Sequence, residues 1–331
     1  MSKIRTAITA VGSYVPEKVL SNADLEKMVD TTDEWITTRT GIKERRILGD
    51  GLGSSFMAVK AVENLLQRKK INPEEIDIII FATVTPDMLF PSSACLVQEK
   101  IGAVNAWGYD LIAACSSFLF ALRTGSSFIE SGLAKKVLVI GADKMSAITN
   151  YKDRNACILF GDGAGCVLLE PSEDNDFGIM DAIMRVDGKG AKYLYMLGGG
   201  SLNPATHETV DKGWHYIFQE GQQVFKDAVK GMADISFEIM KKNSLKSEDV
   251  SYLVPHQANL RILTACAHRM GISMDKVMVN INKYGNTTSA TIPLCLSEYW
   301  EDGKIKKGDN LIIASFGAGY TWGSIWVKWS Y

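Results

Sequence analysis

Cys115 stands among small residues, Ala113, Ala114, Ser116 and Ser117, between a strand-like segment (Trp107 to Ile112) and one with apolar residues at helical spacing (Phe118 to Ile129). A cysteine at such a strand-to-helix corner lies near the unpaired N–H groups and positive dipole end of the helix, which favour thiolate. Its small neighbours leave room for a substrate carbon to reach the sulfur. Two polar islands follow, Pro255 to Asn259 with His256, and Tyr284 to Thr288 with Asn286. Each comes after a strand-like run, Tyr252 to Val254 and Val277 to Ile281. A sulfur nucleophile with two N–H donors suits thioester chemistry. The sulfur accepts an acyl group, and the donors hold an oxygen that gains negative charge.

The elements that must position these residues come in two similar sets. Ile71 to Ile80 aligns without gaps on Leu245 to Val254, and Ser131 to Lys136 on Asp302 to Lys307. The spacing implies an internal duplication of about half the chain, too long for a solenoid repeat. Strands alternate with amphipathic helices in each half, which predicts an α/β fold with a mostly parallel sheet. Each half is expected to end in a glycine-hinged strand pair: Cys157 to Phe160 with Cys166 to Leu169, then Leu311 to Ser315 with Ser324 to Trp329. β-prone sequence follows both glycine runs, so they read as tight turns and not as nucleotide cradles. Asp187 to Trp214 reads as a long loop at the junction.

The 331 residues carry a net charge of −2 with 46% hydrophobic and 22% charged residues, an ordinary globular composition that argues against a nucleic-acid binder. No apolar run is long enough to span a membrane and no secretory leader is visible, so the expected location is cytoplasmic. Six cysteines without a CxxC pair fit a reducing compartment and give no metal site. Cys95, Cys157, Cys166, Cys266 and Cys295 read as inert packing. His207 and His215 fall in the long loop and His268 on a helix, positions that suit surface or structural roles. Taken singly, His256 could cap a helix and Asn286 could be a turn residue.

The motifs taken together resemble the β-ketoacyl-[acyl-carrier-protein] synthase III family of the thiolase-like condensing enzymes, over nearly the whole length. The resemblance rests on Thr32 to Ile36 with Arg39 to Gly41, the Ala-Ala-Cys115 block, Phe160 to Gly165, His256 to Ile262, Gly285 to Thr287, and Phe316 to Gly323. It implies a duplicated, layered αβαβα architecture with halves at 1–172 and 173–331. It implies decarboxylative condensation of a short acyl-CoA with malonyl-[acyl-carrier-protein] through a Cys acyl-enzyme, initiating fatty-acid synthesis. The alternative is a specialised ketosynthase III acting on other acyl thioesters. A papain-like hydrolase has the same Cys, His, Asn order, but its local signature around the cysteine is absent.

By this resemblance Cys115, His256 and Asn286 are catalytic, and the backbone N–H groups of Cys115 and Ala318 form the oxyanion hole. CoA contacts fall on Trp35, Arg39, Thr40, Arg154, Gln222, Asn259 and Phe316, with the adenine between Trp35 and Arg154. Gln222 stands where the family has asparagine. Leu159 and Phe160 wall the acyl pocket, and Phe90 closes that of the partner in a homodimer. Lys226, Arg261 and Arg269 match the carrier-docking patch; His268 replaces a basic residue there. No cofactor and no metal are implied, acyl-CoA being a substrate.

Overall fold

A computed structural model describes residues 4–331. Its strands are β1 (Thr6–Tyr14), β2 (Val19–Ser21), β3 (Glu44–Arg46), β4 (Ile78–Ala82), β5 (Trp107–Leu111), β6 (Val137–Lys144), β7 (Asp162–Pro171), β8 (Gly178–Val186), β9 (Leu194–Met196), β10 (Ile217–Gln219), β11 (Tyr252–Pro255), β12 (Asn310–Gly317) and β13 (Thr321–Lys328). Its helices are α1 (Asn22–Leu25), α2 (Asp33–Thr40), α3 (Ser54–Lys69), α4 (Ser93–Ile101), α5 (Ser117–Glu130), α6 (His207–Asp211), α7 (Gly221–Lys242), α8 (Leu260–Met270), α9 (Ile281–Tyr284) and α10 (Thr291–Glu301).

Two mixed sheets carry the fold, in the orders β1-β7-β6-β4-β5 and β11-β12-β13-β8. Between them lie α5 and α10, each buried on more than one side. Phe118, Leu122 and Ile129 of α5 share one core with Ile292 and Leu296 of α10 and with Val139, Val254 and Ile313 from the two sheets. Helices that are apolar all round belong in such a middle layer. Fully burying one of these side chains stabilises the fold by roughly 1.5–3 kcal/mol. The outer layers are α3 and α4 on the first sheet and α7 and α8 on the second. The result is the expected αβαβα sandwich. None of its helices among the described residues is long and apolar enough to cross a membrane.

The duplication is legible in backbone geometry. Among the described residues, the non-glycine ones with positive φ are Lys70 (58°), Ala114 (50°), Ser244 (56°) and Thr288 (52°). They form two pairs with the spacing of the first of the two sequence alignments, Ile71 to Ile80 on Leu245 to Val254: 70 with 244 and 114 with 288. The first pair ends α3 and α7; the second precedes α5 and α10.

Three local expectations are corrected. Cys157 to Phe160 is a series of turns, and β7 pairs instead with β6. Gly163 and Gly165 therefore sit inside β7 and not in a turn; a Cβ on Gly165 would lie 2.8 Å from that of Pro293, so glycine there admits α10 against the sheet. Val277 makes only an isolated bridge to Leu253, and the chain then turns into α9. The segment 187–214 is not a bare loop either. It holds a 3-10 turn, α6 and β9, and β9 pairs antiparallel with β10.

Candidate active site

Cys115 lies in a 3-10 turn, Ala114–Ser116, that runs directly into α5. Ala114 before it holds a left-handed conformation, a strain of roughly 1–3 kcal/mol that neighbours must offset. The neighbours are hydroxyls. Ser117 Oγ accepts from Ala113 N at 2.7 Å, Thr321 Oγ1 donates to Ala113 O at 2.8 Å, and Ser315 Oγ donates to Cys115 O at 2.7 Å. Two of these three come from the hairpin of β12 and β13. The hairpin backbone also presses on the turn, since a Cβ on Gly317 would stand 2.6 Å from Cys115 N and 3.0 Å from its Cβ.

His256 continues β11 by one residue, its N–H donating to Ala314 O at 2.8 Å. It is 1% exposed, and burial alone pushes its imidazole down to about 3, so the ring is neutral at neutral pH. Nδ1 is 2.8 Å from Thr291 Oγ1. Gln257 ties the same loop to Met278 O and receives N–H bonds from Asn280 and Ile281.

Asn286 bridges to Phe160: its N–H donates to Leu159 O at 2.9 Å, and Gly161 N donates to Asn286 O at 3.1 Å. Thr288 N donates to Asn286 Oδ1 at 2.9 Å. That bond assigns the amide, because the oxygen is engaged and the Nδ2 donor is left for the cavity. The loop is secured from the first half by Asp143 on β6. Its Oδ2 accepts from Ser289 N (3.0 Å) and Oγ (2.6 Å), while Oδ1 accepts from Val84 N (2.7 Å) and both hydroxyls of Thr83 and Thr85.

The three side chains line one cavity of about 700 Å3. Leu159 and Phe160 form part of its wall with Val84 and Met145, and Phe316 and Ala318 line it as well. Arg39, Thr40, Gln222, Asn259 and Arg261 also line it. The roof, Leu194 to Met196 with Ile217 and Gln219, comes from β9 and β10.

The thiol is not a resting thiolate. Burial, and then the Asp143 carboxylate, push the half-buried Cys115 thiol up to about 12 from the ordinary 9.0, and the N-terminus of α5 opposes that shift.

Other expected residues fare unevenly. Trp35 and Arg154 meet, but directly: the Arg154 guanidinium lies 4.6 Å from the indole centroid, with Arg39 at 4.7 Å. The two side chains stack on each other, leaving no gap for a flat ring between them. Thr40 Oγ1 is spent on Ile36 O. Arg261 is exposed and stacks on Phe225, and Lys226 beside it is exposed, whereas Arg269 is held by Asp234 at 3.0 Å. Phe90 is 84% exposed and lies outside this cavity's wall. Cys95 is exposed and so is not core packing, unlike Cys157, Cys166, Cys266 and Cys295. His207 and His268 are exposed, and His215 stacks on Tyr216.

Sequence reasoning missed Asp143, Thr288, Thr291, Ser315 and the roof. The only signal for the hydroxyls was their density between Asn286 and Thr291.

The geometry can be set beside known proteins. Residues 109–188 match the model of 3-oxoacyl-[acyl-carrier-protein] synthase III, and residues 240–329 match the model of that family's C-terminal part. A β-ketoacyl-[acyl-carrier-protein] synthase III from Chlorobaculum tepidum is 57% identical over 328 residues, covering 98% of this chain and all of the relative. One from Porphyromonas gingivalis is 56% identical over 332 residues, covering 100% of this chain and 98% of the relative. The crystal structure of 3-oxoacyl-[acyl-carrier-protein] synthase III from Aquifex aeolicus superposes with a TM-score of 0.90 at 44% identity, over 98% of this chain and 100% of that one.

Proposed function

The chain belongs to the 3-oxoacyl-[acyl-carrier-protein] synthase III family, condensing enzymes that initiate fatty-acid synthesis by acyl transfer, and from that membership we propose how its own residues divide the work. The observation that carries the reading is the convergence of Cys115, His256 and Asn286 on one cavity. Cys115 Sγ attacks the carbonyl of a short acyl-CoA. The C–S bond to CoA breaks, and CoA leaves with the thiol's proton. The exchange of one thioester for another is nearly balanced in energy. The backbone N–H groups of Cys115 and Ala318 receive the oxyanion.

A malonyl thioester on carrier protein then enters the same cavity. Its carboxylate leaves as carbon dioxide, and the electron pair becomes an enolate whose oxygen accepts from His256 Nε2–H and Asn286 Nδ2–H. The enolate carbon attacks the acyl group, and the Cys115 thiolate is released and reprotonated by solvent. Loss of carbon dioxide drives the sequence forward. Incubation with an acyl-CoA panel and malonyl-carrier protein tests it: free CoA, carbon dioxide and a 3-oxoacyl-carrier must appear in equal amounts.

CoA enters past Arg39, Thr40, Gln222, Asn259 and Phe316, and its adenine displaces Arg154 from Trp35. The carrier protein, being acidic, docks on Lys226 and Arg261 at the cavity mouth, with Arg269 the weaker contributor because Asp234 neutralises it. Reversing the charge of Lys226 raises the KM for malonyl-carrier protein several-fold and weakens its salt dependence, while acylation by acyl-CoA barely changes. Carrier binding indifferent to both salt and reversal would remove this surface from the reading.

The acting unit is a homodimer in the cytoplasm, where reduced thiols persist; the halves of each protomer are residues 1–172 and 173–331. Support for the dimer is the uncovered edge strand β5, where Trp107 is 51% and the adjoining Ile112 73% exposed, with Phe90 and Leu89 also bare. Phe90 then reaches the partner's acyl pocket and keeps the starter short. Phe90→Ala shifts preference toward longer acyl-CoAs by about tenfold in relative kcat/KM, since a methylene accommodated in an apolar pocket is worth roughly 1–3 kcal/mol. A dimeric variant with unchanged chain-length preference overturns that role.

A further inference from the structure

We infer that Thr291 is a positioning residue that holds His256 in the tautomer protonated at Nε2, so that the ring offers the cavity a hydrogen and not a lone pair. The inference rests on the reading of His256 as a donor to the malonyl oxygen and goes beyond it, because an imidazole alone does not determine which nitrogen carries its proton.

Thr291 is the first residue of α10, is 2% exposed, and has its hydroxyl 2.8 Å from His256 Nδ1. A hydroxyl carries one proton, and two acceptors lie within reach, Nδ1 at 2.8 Å and Thr288 O at 3.0 Å. Directed to Nδ1, that proton occupies the Nδ1 lone pair and leaves Nε2 as the N–H. Directed to Thr288 O, it would make Nδ1 the donor and turn a bare Nε2 to the cavity, where an enolate oxygen would repel it. Burial accounts for the ring's depressed basicity, and the partner at Nδ1 is a neutral hydroxyl, so it is this hydroxyl that sets the tautomer.

The hydroxyl is held firmly in place. Thr288, whose carbonyl is the competing acceptor, also fixes the amide of Asn286 through its N–H. One left-handed residue thus stands behind both donors. The duplication offers a comparison: the position equivalent to Thr291, 174 residues earlier, is Ser117, likewise the first residue of its helix. There the hydroxyl accepts from the Ala113 backbone and serves the turn alone. In the second half the same position is directed at the histidine.

The test separates the half-reactions. Thr291→Val keeps the shape and removes the hydroxyl. It is expected to lower malonyl decarboxylation and condensation by about 10- to 100-fold, while transfer of radiolabelled acyl groups from CoA to Cys115 stays within about threefold. Thr291→Ser restores condensation. A Val variant that decarboxylates at the wild-type rate overturns the proposal. Should that variant fail to fold, 15N NMR of the unaltered acyl-enzyme with labelled histidine decides, by comparison with His256→Gln for assignment. Protonation at Nε2 upholds the proposal, and a bare Nε2 overturns it. If His256→Ala, which has no side-chain donor, decarboxylates normally, the reading of His256 falls and this proposal with it. If His256→Ala is inactive and Thr291→Val is not, the proposal alone falls.

Discussion

Cys115→Ala forms no acyl-enzyme and makes no product, whereas His256→Ala and Asn286→Ala still take up an acyl group from CoA and then stall. The separation follows from where each side chain sits. Cys115 alone occupies the strained turn against the β12–β13 hairpin, with no second nucleophile at that corner. His256 and Asn286 enter from separate loops of the second half as neutral donors, suited to an oxygen that becomes negative only after decarboxylation. Removing one such donor costs about 10²- to 10³-fold in rate, so condensation falls by that factor in each variant. Radiolabelled acyl transfer and release of labelled carbon dioxide read the two steps apart. Complete loss of acylation in a folded Asn286→Ala protein would overturn the division of labour.

Gly317→Ala is expected to damage both steps together. The added Cβ would stand 2.6 Å from the Cys115 backbone nitrogen, closer than real Cβ contacts allow, and 3.0 Å from Cys115 Cβ. The obstacle is backbone on both sides, so no flexible side chain can yield. Either the cysteine turn or the end of β12 must move. The proposed oxyanion donors, Cys115 N–H and Ala318 N–H, lie one on each of those segments. Loss of their alignment costs about 10²-fold or more in acylation and in condensation alike, with a melting temperature lowered by several degrees. A variant that acylates at the wild-type rate would show that the Cys115 N–H does not hold the oxyanion.

Much of this site was legible because its chemistry depends on residue types that few other roles require in that combination. Cys115, His256 and Asn286 each end a segment whose sequence marks it, and the duplication shows in Ile71 to Ile80 against Leu245 to Val254. What was not legible depends on contacts between segments distant in the chain. Asp143 looks like any acidic residue at a strand end until β6 places it between Val84 and Ser289. The glycines of β7 look like a turn until α10 is packed on them. The thiol's protonation also eluded the local reading: a helix end can be inferred from neighbours, but burial and a carboxylate brought in from β6 cannot. The contact between Trp35 and Arg154 is of the same kind, since nothing local indicated that the two stack on each other.

The halves support each other's reacting loops crosswise. Ser315 and Thr321 of the second half brace the turn of Cys115, and Asp143 of the first half braces the loop of Asn286. After the duplication, therefore, neither copy was free to drift alone. A change on one side of the seam alters the support of a group on the other. Substitutions at Asp143, Ser289, Ser315 and Thr321 should combine non-additively, and natural variants at these positions should be tolerated mainly in compensating pairs. The present sequence of each half is in this sense a record of the other's history.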